Sequence, residues 1–311
     1  MAELATPPLK LSVVVLSWNT KPLTLACLRA LRADTPRWPR EVVVIDNGSA
    51  DGSADAIADQ HPEVRLIRNA ENVGYAAGNN QGAAASHGEF VCTLNSDTEV
   101  APGALDLLIE YLEAHPEYGA AAPRLDNVDG TVQRACMRFP GLLTALCFDT
   151  VFGKFWPGSV VVRRYHMRDF DHLESRDIDQ PPGACFMMKR DEYAAMDGLD
   201  DELFLFFNDV DICKRLWKAG RRIRYVAEAR VKHHGGASTK GYGKFVVVWH
   251  RNRMAYYRKH YGPLAVPYMH LLVHLRALEE WWRVGRRFRD PQVRRQARAD
   301  VRTHVREILA P

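Results

Sequence analysis

The chain has 311 residues, 47% of them hydrophobic and 26% charged, an ordinary globular composition with room for two modest domains or one large α/β unit with an appendage. The net charge is only +4 and no basic stripe carries interleaved aromatics, which excludes nucleic acid as the main partner. Six scattered cysteines form no C-x-x-C pair, no window has the length and apolarity of a membrane span, and Met1–Lys10 lacks a basic n-region; these features predict a cytoplasmic protein whose thiols are small buried hydrophobes.

Taken in order, Leu11–Ser17 is a continuous β-branched run, the mark of a strand buried on both faces of a parallel sheet. Pro22 opens a helix in which Leu23, Ala26, Cys27, Ala30 and Leu31 recur at helical spacing. Glu41–Ile45 is a second strand closed by Asp46-Asn47-Gly48-Ser49, and Ser53 or Asp51 caps a helix through Ile57. Val64–Ile67 is a third strand, and Asn72–Asn80 leads into an alanine-rich helix. Phe90–Leu94 is a fourth strand that runs into Asn95-Ser96-Asp97, before Pro102-Gly103 opens a helical pattern. Strands alternating with helices at this spacing predict a parallel sheet with right-handed crossovers.

The pattern loosens between Arg124 and Asp179. It returns with a strand after the Pro181-Pro182-Gly183-Ala184 turn, a helix over Ile212–Ala219 ended by Gly220, a strand over Arg222–Val226, and a strand-like segment, Ala229–His234, that meets Gly235-Gly236. Two helical segments close the chain, Val246–His260 and a longer one beyond Pro263.

Asp46 and Asp97 both follow buried strands, and a parallel sheet brings such carboxylates to one crevice. Asp46 can accept from a nucleobase N–H or a ribose hydroxyl, or simply close an Asx-turn. Asp97 can be a ligand or a helix cap. Asp209 and Asp211 stand just before the Ile212 helix, where caps are common. The apolar run Leu203–Phe207 before Asp209 gives it a desolvated setting suited to a general base. His233-His234 on a glycine turn is a metal-ligand candidate.

In this order, Val14–Asn19, Asp46–Ser49, Asn72-Val73-Gly74…Gly78-Asn79, Asn95-Ser96-Asp97, Gly183-Ala184, Phe207–Asp211 and His233-His234-Gly235 resemble glycosyltransferase family 2 over roughly residues 11–240. Within it the chain is most similar to the rhamnosyltransferase-like branch that builds bacterial surface polysaccharides. The resemblance implies a GT-A fold: an α/β, mostly parallel central sheet flanked by helices, here with a C-terminal helical extension. It divides the chain into a nucleotide-sugar-binding half over 1–123, a metal-completing and acceptor-binding half over 124–240, and the extension over 241–311.

The resemblance also implies roles. Asp46 would hold the base, with Ser17, Asn19, Asn72, Gly78, Asn79, Asn95 and Ser96 around the nucleotide. Asp97 and His233 would bind Mg²⁺ or Mn²⁺, and Asp209 would be the catalytic base. Gly183, Ala184, Asn208 and Asp211 would lie on the acceptor side. Asn95 stands where the family's D-x-D motif has its first aspartate, and Asn208 replaces a common acidic residue before the base.

The implied donor is a dTDP- or UDP-linked sugar, and the implied acceptor a glycan or a polyprenyl-diphosphate-linked hydroxyl. A nucleotidyltransferase shares the strand-plus-carboxylate logic but carries a glycine-rich basic loop where this chain has Ser17-Trp18-Asn19-Thr20. A non-catalytic sugar-nucleotide-binding protein has no need of Asp97, Asp209 and His233 together.

Beyond Pro263, Leu264, Val266, Tyr268, Met269, Leu271, Leu272, Leu275, Leu278, Trp281 and Trp282 precede Arg283, Arg286, Arg287 and Arg289. That pattern suits a helix in an anionic membrane interface, placing the enzyme on the inner face of the cell membrane. It equally suits a helix packed on the catalytic domain or on a homodimer partner.

Overall fold

The computed structural model describes residues 8–148, 150–155, 158–235 and 245–310. In chain order the elements are β1 (Leu11–Ser17), α1 (Lys21–Ala33), β2 (Arg40–Asp46), α2 (Ser53–Gln60), β3 (Arg65–Arg68), α3 (Tyr75–Ala84), β4 (Phe90–Asn95), β5 (Thr98–Val100), α4 (Ala104–Ala114) and β6 (Tyr118–Asp126). There follow α5 (Leu142–Phe148), α6 (Val151–Phe155), α7 (Val160–Tyr165), β7 (Arg176–Asp177), β8 (Cys185–Lys189), α8 (Arg190–Ala195), α9 (Asn208–Lys218) and β9 (Arg222–His233). Three helices close the chain: α10 (Val246–Tyr261), α11 (Ala265–Arg287) and α12 (Pro291–Leu309).

The chain divides into two compact units, one of residues 1–137, 170–204 and 208–240, the other of residues 138–169, 205–207 and 241–311. The first holds a nine-stranded sheet in the order β3-β2-β1-β4-β8-β6-β9-β5, with β7 also on β9. β3, β2, β1 and β4 run parallel, as the alternation of strands and helices predicts. β8 pairs antiparallel with β4 and β6, after which β6 and β9 are parallel. Val13, Val14 and Val15 of β1 are wholly buried, which is why that strand shows no polar alternation.

Helix α3 lies against β1 closely enough that a Cβ on Gly78 would sit 2.5 Å from Leu16 Cδ1, and one on Gly82 2.2 Å from Val14 Cγ1. The two glycines are one turn apart, so together they form a groove along the helix that receives the β1 side chains.

Several elements depart from the sequence pattern. β5 and β6 were not legible as strands. β6 reads Tyr-Gly-Ala-Ala-Ala-Pro-Arg-Leu-Asp, poor in β-formers, yet Ala120, Ala121 and Ala122 are buried. Gly119 leaves room for a helix side chain: a Cβ there would stand 2.7 Å from Leu216 of α9. The two strand segments expected after Arg222 are one long strand, β9, which changes register against β6 between Pro123 and Arg124. Two helices rather than one lie beyond Pro263. Of the expected Gly235-Gly236 turn, Gly236 lies outside the described residues, and Gly235 has φ 68°.

Helix α9 begins at Asn208, four residues before the predicted start at Ile212, so Asp209 and Asp211 occupy its first turn. Acidic residues are stable there against the exposed N–H groups of a helix start. The preceding Phe206 and Phe207 have φ of 69° and 62°, which stops the helix from extending further back.

The second unit is helical among the described residues. Tyr261, Tyr257 and Tyr268 donate their hydroxyls to the carbonyls of Pro140 (2.7 Å), Gly141 (3.0 Å) and Leu142 (2.9 Å), and Arg253 donates to Ala145 O at 2.8 Å. These bonds mount α5 on α10 and α11. α11 packs on α10 and α12 with Met269, Leu272, Val273 and Val284 buried. No helix among the described residues is long and apolar enough to cross a membrane.

Asp211 is fully buried and pairs with Arg215 Nε at 2.8 Å, while the Arg215 guanidinium also donates to Met196 O and, at 2.7 Å, to Gly198 O. Removing one partner of a buried pair typically costs about 3–5 kcal/mol. Asp211→Asn is therefore expected to lower the denaturation midpoint strongly in chemical unfolding. Unchanged stability with lost turnover would return Asp211 to the acceptor side.

Candidate active site

The strand register sets the geometry of the site. Ser17 at the end of β1 stands opposite Asp46 at the end of β2, and Leu16 stands opposite Asn95 at the end of β4. Three neighbouring parallel strands thus finish at one level, the edge at which open α/β sheets bind ligands.

At the β2 end, Asp46 Oδ1 accepts from Ser49 N at 3.0 Å, so the Asx-type turn is present. Oδ2 is buried with no hydrogen-bond partner among the described residues. A carboxylate oxygen left in that state is costly unless a ligand donor meets it. Asn19, with φ 52°, clasps the same turn: its Oδ1 accepts from Ala50 N at 2.8 Å and its N–H donates to Ser49 Oγ at 2.9 Å.

The residue that sequence reasoning missed here is Asn47. Its Nδ2 donates to Asn72 Oδ1 (2.9 Å) and Gly74 O (3.2 Å), and its Oδ1 accepts from Asn69 Nδ2 (3.0 Å) and Val73 N (3.1 Å). That uses the full capacity of the amide and ties the β2 turn to the start of α3. The only sequence signal was an asparagine next to Asp46, with more asparagines before Gly74.

Ser17 and Ser96 are both buried. Ser17 Oγ lies 2.8 Å from Thr24 Oγ1, Thr24 lies 3.1 Å from Thr20, and Thr20 lies 2.9 Å from Ser96 Oγ. These hydroxyls lock the ends of β1 and β4 together from within. Asn72 caps the turn before α3 through Gly74 N at 2.9 Å, and Gly78 faces Leu16. Asn79 is buried, its Nδ2 on Tyr75 O at 2.9 Å and its Oδ1 without a partner among the described residues.

Asp97 leads into β5 rather than a helix, which removes the helix-cap reading. Thr98 pairs with His233 across β5 and β9, and His233 Nε2 comes within 3.4 Å of Asp97 Oδ1. His233 Nδ1 lies 2.8 Å from Gln133 Oε1, while Gln133 Nε2 donates to Asn127 Oδ1 at 3.1 Å. That assigns the glutamine oxygen to the imidazole, so Nδ1 carries a hydrogen and donates it, leaving Nε2 as the ring nitrogen that faces Asp97.

A carboxylate and an imidazole nitrogen facing each other, with the other ring nitrogen already hydrogen-bonded, are donor types that suit a divalent cation. No group of three or more His, Cys, Asp or Glu gathers for a metal among the described residues, so a cation here would take its remaining ligands from substrate and water. His234 is separately engaged, with Nε2 2.8 Å from Glu99 Oε1; that imidazole holds the Glu99 carboxyl below its usual range.

Asp209 is half-buried in the first turn of α9. Oδ2 accepts from Gly183 N at 3.1 Å and Oδ1 from its neighbour Val210 N at 2.9 Å. Burial pushes its carboxyl above the ordinary range, and the two N–H bonds offset part of that rise. Ala184, next to Gly183, accepts from Asn95 N at 2.9 Å, so the β4 end and the Asp209 loop are joined by adjacent residues. Asn208 is buried with Nδ2 on Leu203 O, and Asp211 is tied to Arg215. The structure groups Gly183 and Ala184 with Asp209 and turns Asn208 and Asp211 into the protein.

Residues 12–191 match the sequence model of glycosyl transferase family 2. Over 240 residues the chain is 31% identical to an N-acetylglucosaminyl-diphospho-decaprenol L-rhamnosyltransferase of Mycobacterium tuberculosis, covering 74% of this chain and 77% of the relative. It is 29% identical to the O-antigen biosynthesis protein RfbC of Myxococcus xanthus over 74% of this chain and 18% of that one. Among solved structures, the mannosyltransferase PcManGT of Pyrobaculum calidifontis, in complex with GDP-Man and Mn²⁺, superposes with a TM-score of 0.56 at 17% identity over 98% of this chain and 88% of its own. GalNAc-T7 with UDP, GalNAc and Mn²⁺ has the same TM-score at 18% identity, over 84% and 53%. The fold is that of the GT-A glycosyltransferases, and the chain belongs to glycosyl transferase family 2.

Proposed function

We propose that this glycosyltransferase moves a sugar, rhamnose in our reading, from a dTDP- or UDP-linked donor to a hydroxyl of an N-acetylglucosaminyl group carried on a polyprenyl diphosphate, with inversion at the anomeric carbon. The observation that carries the reading is the half-buried Asp209 beside the Gly183-Ala184 loop, joined by that loop to the strand end that precedes Asp97. The rhamnosyl and lipid-linked parts rest on the named mycobacterial relative.

In this reading the unpartnered Asp46 Oδ2 receives a donor N–H or O–H of the nucleoside. Asp97 and His233 would hold Mg²⁺ or Mn²⁺, and a cation there would supply Lewis-acid neutralisation of the diphosphate leaving group. Asp209 takes the proton of the acceptor hydroxyl as its oxygen bonds to the anomeric carbon and the bond to the β-phosphate oxygen breaks. A single displacement inverts the centre and needs no second carboxylate as nucleophile. Burial makes Asp209 a stronger base than a free carboxylate, and such a base contributes ~10²–10⁴-fold.

Asp209→Asn should bind the nucleoside diphosphate in calorimetry as the wild type does, with turnover lower by orders of magnitude. Because the base acts ionised and its pKa is raised, kcat should fall on the acid side above the ordinary carboxylate range of about 4. An acid limb at or below that range points to another base.

Asp97→Ala and His233→Ala should each weaken binding of the nucleoside diphosphate only when Mn²⁺ or Mg²⁺ is present. Equal losses with and without cation exclude a shared metal.

The acceptor's lipid also gives a reason for a surface role of α11. Leu271, Leu275, Leu278 and Trp282 recur at helical spacing and all are exposed, Leu278 at 64% and Trp282 at 60%, with Arg283, Arg286, Arg287 and Arg289 exposed just beyond. Basic residues near an anionic bilayer contribute about 1 kcal/mol each. The protein should co-sediment with phosphatidylglycerol-containing vesicles at low salt and be released at high salt, and Leu278→Glu with Trp282→Glu should abolish this. Binding unaffected by the double substitution assigns α11 to packing.

A further inference from the structure

Tyr75 opens α3 directly after Gly74, whose φ of 96° suits a residue without a Cβ. Its backbone N–H donates to Phe204 O at 2.6 Å and its hydroxyl donates to Gly183 O at 2.8 Å. Gly183 passes its own N–H to Asp209 Oδ2 at 3.1 Å. A Cβ at position 183 would meet the Tyr75 hydroxyl at 3.3 Å and the Asp209 Cβ at 3.4 Å, so the glycine is held between the two side chains.

A glycine has two soft dihedrals and no side chain to restrict them, so something else must fix the peptide groups on either side of it. The phenol fixes one of them by gripping the carbonyl. We propose that Tyr75 is a positioning residue for the transfer reaction: by holding the Gly183 carbonyl it keeps the Gly183 N–H on Oδ2 of Asp209, and so sets the orientation of that carboxylate. The proposal rests on the reading of Asp209 as the base.

The groups around Asp209 leave this bond as the adjustable one. Tyr75 from α3 and Cys213, one turn along α9, both sense the Asp209 charge; burial, the largest cause in each, pushes both up, so both stay neutral where a carboxylate titrates. Asp97 and Tyr193 act on Tyr75, and Asp179 acts on Cys213. Asp211 is neutralised by Arg215. For Asp209 itself, burial raises the pKa and the Val210 and Gly183 N–H groups lower it. The Val210 bond is made within the same turn of helix, whereas the Gly183 bond depends on how the loop is held.

The test is Tyr75→Phe, which keeps the ring and removes the hydroxyl. The direct readout is the Asp209 carboxyl ¹³C titration in full-length protein, with the resonance assigned by its loss in Asp209→Asn. Freed of its anchor, Gly183 should donate less well, and the Asp209 pKa should rise by about half a unit to one unit. With dTDP-rhamnose and N-acetylglucosaminyl-diphospho-farnesol, kcat should fall roughly tenfold at near-constant donor KM, the pattern of an interaction felt in the transition state. Placing 3-fluorotyrosine at position 75, a stronger donor, should move the titration the opposite way.

A Tyr75→Phe protein with unmoved Asp209 titration overturns the proposal, whether or not its melting temperature falls. If Asp209→Asn keeps wild-type turnover, the base reading fails instead, and the titration still reports separately on the Tyr75 contact.

Discussion

Three parallel strands ending at one level are the constraint on which the rest of the site depends. The pairing of Ser17 with Asp46 and of Leu16 with Asn95 fixes which side chains reach the ligand edge. A slip of one residue would send Asp46 to the other face of the sheet. Polar contacts at both ends of the β1–β2 pair oppose that slip: Ser12 Oγ donates to Glu41 Oε1 at 2.6 Å, and Asn47 N donates to Ser17 O at 2.8 Å. The hydroxyl chain from Ser17 through Thr24 and Thr20 to Ser96 adds a directional lock that apolar packing alone lacks.

Polar groups behind that edge fall into two kinds. Asn47, Asn72, Gln133 and Arg215 are engaged on several sides and hold turns in place. Asp46 Oδ2 and Asn79 Oδ1 are buried without partners among the described residues. Satisfied groups rigidify, whereas unsatisfied ones are where a ligand gains binding energy. This division cuts across residue type, since asparagines appear on both sides of it.

The first four strands were legible because short apolar runs, bounded by turn residues and alternating with helical patterns, leave little alternative. β6 was not, because its alanines are buried and its Gly119 admits Leu216 of α9, tertiary demands that local propensity does not encode. Asp46, Asp97, Asp209 and His233 stood out through their positions after apolar runs and their resemblance to a family pattern. Asn47, Gln133 and Tyr75 did not, because their partners are remote in sequence: Gln133 meets a residue 100 positions away and Tyr75 one 108 away. Asp211 stood out for the same reason as Asp209, and only its burial against Arg215 tells the two apart.

The glycine groove of α3 carries a consequence for how this enzyme can change over generations. Gly82 meets Val14 in the core, and Tyr75 lies seven residues earlier on the same helix, about 10 Å along its axis. A helix of that length moves as a rigid lever. A methyl group added in the groove, far from any substrate, would tilt the helix and displace the tyrosine at its tip. Core packing and the placement of the tyrosine are therefore coupled at these positions: the crowding that a methyl group would bring against Val14 or Leu16 is passed along the helix as well as into the core.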